Sequence, residues 1–169
     1  MAALIEIYLV RHAIAAERGP AFPDDRVRPL TADGIRRFKQ AVRGLAAVGV
    51  TIDVILTSPL TRAEQTATLL AEGLGSRVRV ETLDALAPGG APGAVIDAIG
   101  RHGRRHRRLA LVGHEPDLGE LAARLLGARG QVEFRKGAVC AIDVDAALPG
   151  GPGTLRWHLP PKVLRRLAP

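Results

Sequence analysis

Only one cysteine, Cys140, occurs in the chain, so an internal disulfide is excluded and the fold must rest on its own core. Its place in the alternating run Ala138 to Val144 marks it as a small buried hydrophobe. No uninterrupted apolar run approaches the ~20 residues of a membrane span. The apolar opening from Met1 to Val10 carries Glu6, lacks a basic leader and runs into Arg11, unlike a secretory signal. These absences lead to the expectation of a cytoplasmic protein with no membrane partner. Aromatic residues are scarce, at 3%, and Lys39, Lys136 and Lys162 are the only lysines, although the formal net charge is +7. Arginine therefore carries the basic balance, which favours acidic or phosphorylated partners. Nucleic acid is the less favoured partner. The basic residues are scattered, rings for base stacking are few and no nucleic-acid-binding signature appears.

What is present fits one domain over residues 1–169, long enough to bury a core without metal or disulfide support. Ile5 to Val10 is a short, branched apolar run that reads as a strand covered on both faces, ending in Arg11 and His12. Ile14 to Pro29, with four prolines and glycines and few apolar residues, reads as a loop. Thr31 is an N-cap for a helix whose apolar residues, Ile35, Phe38, Val42 and Leu45, recur at helical spacing until Gly49. Ile52 to Leu56 is a second strand, and a helix follows from Leu60 to Leu74 with Arg62 in its first turn. Val78 to Leu83 and Leu109 to Val112 are further strands, separated by a short helix at Ala94 to Ile99 and a basic connector from Gly100 to Arg108. Gly113 and His114 end the fourth strand, and a helix begins near Pro116. Ala138 to Val144 and Thr154 to Leu159 alternate as a hairpin-like pair, and Val163 to Leu167 is a basic tail without an assigned element. The alternation of strands and helices predicts an α/β fold. It is a three-layer α/β/α sandwich with a mostly parallel central sheet and an antiparallel edge near the C-terminus.

In such a sheet, ligands gather at the carboxyl ends of the strands. Arg11-His12, Arg62 and Gly113-His114 all fall there, although an Arg-His pair alone is equally compatible with the start of a surface loop. Two guanidiniums and two imidazoles around one void suit a tetrahedral phosphoryl group better than a carboxylate. No phosphate-binding Gly-Lys loop or nucleophilic serine elbow competes for the chemistry. His102 and His106 have the spacing of a metal pair, but the arginines at 101, 104, 105, 107 and 108 would repel a cation, so a solvated basic loop is expected there, with docking to an acidic phosphoprotein as the lesser alternative. Arg28 either reaches over the pocket toward substrate or sits solvated ahead of the helix cap. Glu115 either favours the helix start, the preferred reading, or orients Arg11 or His114. His158 is read as a structural or surface histidine, not a ligand.

Leu9-Val10-Arg11-His12-Ala13, Pro29-Leu30-Thr31-Ala32-Asp33-Gly34, Thr57-Ser58-Pro59-Leu60-Thr61-Arg62-Ala63-Glu64-Gln65-Thr66-Ala67 and Val112-Gly113-His114 together resemble the histidine phosphatase superfamily, whose fold is phosphoglycerate-mutase-like. They resemble in particular its SixA type, the protein-phosphohistidine phosphatases. The resemblance covers residues 5 to about 115. It implies a metal-independent phosphatase without a cofactor. His12 would attack phosphorus to give a phosphohistidine intermediate, with Arg11, Arg62 and His114 around the phosphoryl group; Arg28 is a candidate substrate contact by its position alone. The implied partner is a phosphohistidine protein in signalling or a small phosphate ester.

Two positions depart from the family pattern. Ala13 stands where glycine usually follows the Arg-His pair, and the segment that often carries a glutamate acid reads Leu83-Asp84-Ala85 here. Asp84 or Glu81 is therefore a candidate general acid, or there is none, in which case substrates with good leaving groups are favoured. Two rival readings stand beside the phosphohistidine phosphatase: a small-molecule phosphomonoesterase and a noncatalytic phosphate-binding docking module.

Overall fold

The computed structural model describes residues 3–75, 77–147 and 149–169; Met1 and Ala2, part of the apolar opening, lie outside them. Six strands form one sheet: β1 (Leu4–Arg11), β2 (Val54–Thr57), β3 (Arg79–Thr82), β4 (Arg108–Gly113), β5 (Val139–Asp145) and β6 (Thr154–Leu159), in the spatial order β3-β2-β4-β1-β5-β6. β1, β2, β3 and β4 pair in parallel, whereas β5 runs antiparallel to β1 and β6 antiparallel to β5. The architecture is the mostly parallel α/β sheet with an antiparallel edge that the sequence pattern implies.

Helices cover both faces because β1 is apolar on both. Tyr8 and Val10 join Phe38, Leu45, Leu70 and Leu164 in one core, under α1 (Ala32–Ala47), α2 (Thr61–Leu74) and α5 (Pro161–Leu167). Ile5, Ile7 and Leu9 join Val95, Ile99, Leu118 and Leu125 in the other, under α3 (Pro92–Gly103) and α4 (Asp117–Leu126). Each such fully buried aliphatic side chain contributes roughly 1.5–3 kcal/mol relative to exposure. Cys140 lies in this second core, fully buried, and burial pushes its thiol up to about 12.

Two elements differ from the sequence reading. The basic connector begins later than expected, because α3 continues to Gly103, where the missing side chain lets the helix lie against Ile5. The C-terminal tail is a helix, α5, whose backbone at Leu164 presses on α1 at Gly44; a Cβ there would collide with the Leu164 carbonyl.

Register sets where the strands stop. Arg11 lies opposite Gly113, the His12 amide donates to the Gly113 carbonyl at 3.1 Å, and the Ser58 amide donates to the Val112 carbonyl at 3.0 Å. The chain therefore leaves β1, β2 and β4 at one level. Arg11-His12, Ser58 and His114 emerge side by side.

Candidate active site

Consecutive residues of β1 face opposite sides of the sheet, and this divides the site between two walls. Arg11 follows the Ile5-Ile7-Leu9 face and its Nη1 donates to the Phe134 carbonyl at 2.7 Å. His12 follows the Tyr8-Val10 face, toward α2. His114 extends the same face of β4, and the His12 and His114 ring centroids are 5.1 Å apart. Between the walls opens a pocket of about 320 Å³ lined by Arg11, His12, Arg28, Arg62 and His114, with Glu17, Arg18, Pro88, Glu115 and Lys136 completing it.

His12 is held by its neighbour. Its Nδ1 lies 2.7 Å from the Ala13 carbonyl, which can only accept, so Nδ1 carries the proton and Nε2 keeps a lone pair. His12 as a residue is 5% exposed; burial pushes its pKa down to about 4, against the Ala13 bond that favours the cation and with Arg62 and Arg11 adding to the depression. Ala13 is itself fixed, because its amide donates to Thr66 Oγ1 at 3.0 Å. Its methyl lies in the core under α2, and no described residue other than glycine has positive φ, so alanine at this position is unstrained.

His114 is also neutral. Burial, then the nearby His12 and Arg62, push it down to about 3, and its Nε2 meets Ser58 Oγ at 2.7 Å. Ser58 Oγ accepts from the Leu60 amide at 3.2 Å, so its own proton is free to go to His114 Nε2. With that proton donated to Nε2, the imidazole proton sits on Nδ1, which is buried with no hydrogen-bond partner among the described residues. Arg11 Nε and Arg62 Nε are buried and unpartnered in the same way. Unpaired buried polar atoms are costly in a folded protein, and these three belong to residues that line one pocket.

The loop after β1 is tied to one helix at successive turns. Arg62 Nη1 donates to the Asp25 carbonyl at 2.8 Å and Nη2 to Asp25 Oδ2 at 3.0 Å. Gln65 Oε1 accepts from the Leu30 amide at 2.7 Å, and Thr66 Oγ1, itself donating to the Arg62 carbonyl, accepts from Ala13. α2 thus positions Arg62 and the loop together. Thr31 caps α1 through the Gly34 amide at 2.9 Å, and its own amide donates to the Ile14 carbonyl at 3.0 Å. The helix start lies so close to the loop that a Cβ at Gly34 would run into the Ile14 carbonyl.

Arg28 points inward. Its guanidinium donates to the Ala16 carbonyl at 2.6 Å and to Asp25 Oδ1 at 2.9 Å, which excludes the solvated alternative. Asp25 therefore binds Arg28 and Arg62, with Arg18 at 3.2 Å as a third. Burial opposes its ionisation, but the bonds from Arg62 and Arg28 outweigh that and hold it below the usual carboxylate range. Glu115 serves the helix start, accepting from the Gly119 amide at 3.0 Å, and its second oxygen takes the Phe134 amide at 3.5 Å. Phe134 is the residue whose carbonyl holds Arg11, so the two readings of Glu115 are joined through one residue.

Neither acid candidate reaches the pocket. Glu81 lies on β3 with its carboxylate 3.8 Å from His102, and Asp84 opens a short 3-10 turn; neither lines the cavity. His158 packs against Phe134 with centroids 4.7 Å apart, outside the lining. Sequence reasoning missed Asp25, Glu17, Arg18 and Lys136. Asp24-Asp25 in a proline-rich loop looks like a turn, and the one available signal was that this acidic pair crosses a site built of arginines. Lys136 arrives because the following amide, Gly137, donates to the Arg11 and His12 carbonyls, each at 3.1 Å.

Comparison with known proteins places this geometry. A family model for the histidine phosphatase superfamily, branch 1, matches residues 7–88. Phosphohistidine phosphatase SixA of Escherichia coli is 29% identical over 164 residues, covering 95% of this chain and 97% of its own. An uncharacterised protein of Picosynechococcus is 43% identical over 120 residues, 70% of this chain and 71% of its own. A solved structure of the protein histidine phosphatase SixA complexed with tungstate superposes with a TM-score of 0.85 at 28% identity, over 95% of this chain and 99% of that one. No helix among the described residues is long and apolar enough to cross a membrane. With the strand-end Arg-His pair, the arginine in the first turn of α2 and the second histidine after β4 on one pocket, this chain belongs to the histidine phosphatase superfamily.

Proposed function

We propose that the protein is a phosphatase that uses His12 as its nucleophile and acts on phosphohistidine in a protein. The observation that carries the reading is the bond from His12 Nδ1 to the Ala13 carbonyl. It leaves an unprotonated Nε2 beside Arg11, Arg28, Arg62 and His114. Nε2 attacks phosphorus, the new P–N bond forms as the bond to the leaving group breaks, and water then displaces His12 from phosphorus. The charge on the equatorial oxygens is met by Arg11 Nε, Arg62 Nε and His114 Nδ1, donors already in place before reaction.

The carboxylates favour a phosphoramidate over an ester. Among the described residues, the carboxylates that line the pocket are Glu115, which is engaged by two backbone amides, and Glu17, which is exposed at the rim, so neither is a free buried acid. A phosphoimidazolium leaves as neutral imidazole with the proton already on its far nitrogen, whereas an alkoxide must be protonated as it departs. The similarity to SixA over nearly the full chain supports the same substrate class.

Brief exposure to a labelled phosphohistidine protein should leave acid-labile phosphate on His12, and His12→Ala should neither label nor turn over. Efficient turnover by that variant would remove the nucleophile. Sugar phosphates and nucleoside monophosphates hydrolysed orders of magnitude faster than the phosphoprotein would favour the small-ester reading.

A further inference from the structure

Beside the catalytic pocket lies a second cleft, of about 140 Å³, between the starts of α1 and α5. Its floor is Ala13, Ile14, Gly34, Phe38, Gly137 and Pro161, and its rim carries Arg37, Lys136, Lys162 and Arg165. The two cavities share Lys136, and the floor of the second begins at Ala13, the residue that holds His12. Whatever occupies it is therefore adjacent to the phosphoryl group.

Asp33 neutralises Arg37 at 2.7 Å, but Lys136, Lys162 and Arg165 make no ion pair among the described residues. Two of the chain's three lysines stand here, in a protein that otherwise uses arginine for its positive charge. A lysine ammonium is a compact, hydrated point charge on a flexible stem. It suits reversible attraction of carboxylates rather than a rigid forked contact. The larger basic groove, of about 940 Å³ around Arg77, Arg105, Arg107 and Arg108, does not compete. It lies at the opposite ends of the strands, beside Asp53 at the start of β2, and Asp53 already pairs with Arg108 at 2.7 Å.

We infer that the cleft rimmed by Lys136, Lys162 and Arg165 is a docking site for carboxylate side chains that flank the phosphohistidine of the protein substrate. The inference rests on the phosphohistidine-protein reading above and adds a determinant of specificity to it. The acidic neighbours of the phosphohistidine meet the three cations while the phosphoryl group enters the adjacent pocket. The apolar floor takes the aliphatic part of the segment.

The test uses a histidine-phosphotransfer domain phosphorylated on its histidine, in one form with acidic residues beside it and in another with those acids changed to amides. Inorganic phosphoramidate is the small substrate. Lys162 and Arg165 do not line the catalytic pocket, so Lys162→Glu/Arg165→Glu should leave phosphoramidate turnover unchanged. The double variant should raise KM for the acidic phosphoprotein about tenfold with kcat within about twofold, and the gap should close at roughly 0.5 M salt. The amide form should show the wild-type enzyme a KM as high as the variant's. If the double change lowers phosphoramidate turnover, Lys162→Glu alone should still raise KM for the acidic form only.

Equal KM values in wild type and variant, with the phosphoprotein turned over well, would overturn the docking site and leave the proposed activity standing. Wild-type enzyme that hydrolyses phosphoramidate but leaves the phosphoprotein intact would overturn both. Loss of phosphoramidate turnover in both variants would refute a docking role. Binding of a DNA duplex that the double change abolishes, with the phosphoprotein KM unaltered, would assign the cleft to nucleic acid instead.

Discussion

A change of pH from 7.5 to 5.5 distinguishes the buried His12 from an ordinary imidazole. An imidazole with a pKa near 6.5 would be only about one-tenth neutral at pH 5.5, and a reaction that needs it as a nucleophile would slow about tenfold. Burial, with the positive charges of Arg62 and Arg11 behind it, pushes His12 down to about 4. At pH 5.5 it therefore remains about 97% neutral. His114, pushed down to about 3, does not titrate in the interval either. The expected result is a kcat/KM at pH 5.5 within about twofold of the value at pH 7.5. The assay is phosphate release at substrate concentrations below KM, corrected for the substrate's own ionisation as followed by phosphorus NMR. Because kcat/KM reports the free enzyme, substrate binding does not mask the His12 titration. An acid limb centred near pH 6.5 would refute the reasoning, since it would mean that His12 is hydrated and titrates as in water. The same shift acts on stability. The folded pKa lies below the unfolded one, so the unfolded chain takes up protons first as pH falls below about 6.5. Stability present above that value is lost progressively down to about 4, on the order of 3 kcal/mol at most from His12.

Two further changes test the loop that supports His12. Gly34→Ala forces a methyl group against the Ile14 carbonyl, which also accepts from the Thr31 amide. Overpacking plus a weakened hydrogen bond should cost about 2–4 kcal/mol, read as a lower urea midpoint with a reduced kcat; an unchanged midpoint would show that the loop yields freely. Asp25→Ala removes the carboxylate that binds Arg28 and Arg62, two residues that are 8% and 3% exposed. Asp25 itself is 38% exposed, so solvent screening limits the stability loss to about 1–2 kcal/mol. The expected loss in kcat/KM is at least about tenfold, since Arg62 loses its aim. A rise would show that Asp25 competes with the phosphoryl group for the arginine.

The central pieces of the site were legible because strand ends are written locally. An apolar run that stops at Arg11-His12 or at Gly113-His114 states where its side chains emerge, and a helix start at Thr61 fixes where Arg62 projects. The reversal of β5 and β6 was legible from alternation around the glycine-proline turn. Other features depend on contacts made across the fold. α5 has seven residues and one fully buried side chain, Leu164, so it leaves no periodic pattern, and its place is set by the bare backbone of Gly44. α3 outruns its apolar stripe because Gly103 packs on Ile5. Asp25 was hidden for the same reason. Its role comes from residues 37 positions away on α2, and a proline-rich loop carries no period from which that distance can be read.

The split of Arg11 and His12 between two walls makes the length of β1 as consequential as its lettering. Losing one residue between Leu4 and Arg11, with the register to β4 and β5 kept, would exchange the two side chains, sending the imidazole toward Phe134 and the guanidinium toward Thr66. Losing two would restore the sides but draw both groups back by about 7 Å, away from His114. Apolar side chains of similar size can exchange along this strand, but an insertion or deletion in it moves the whole site.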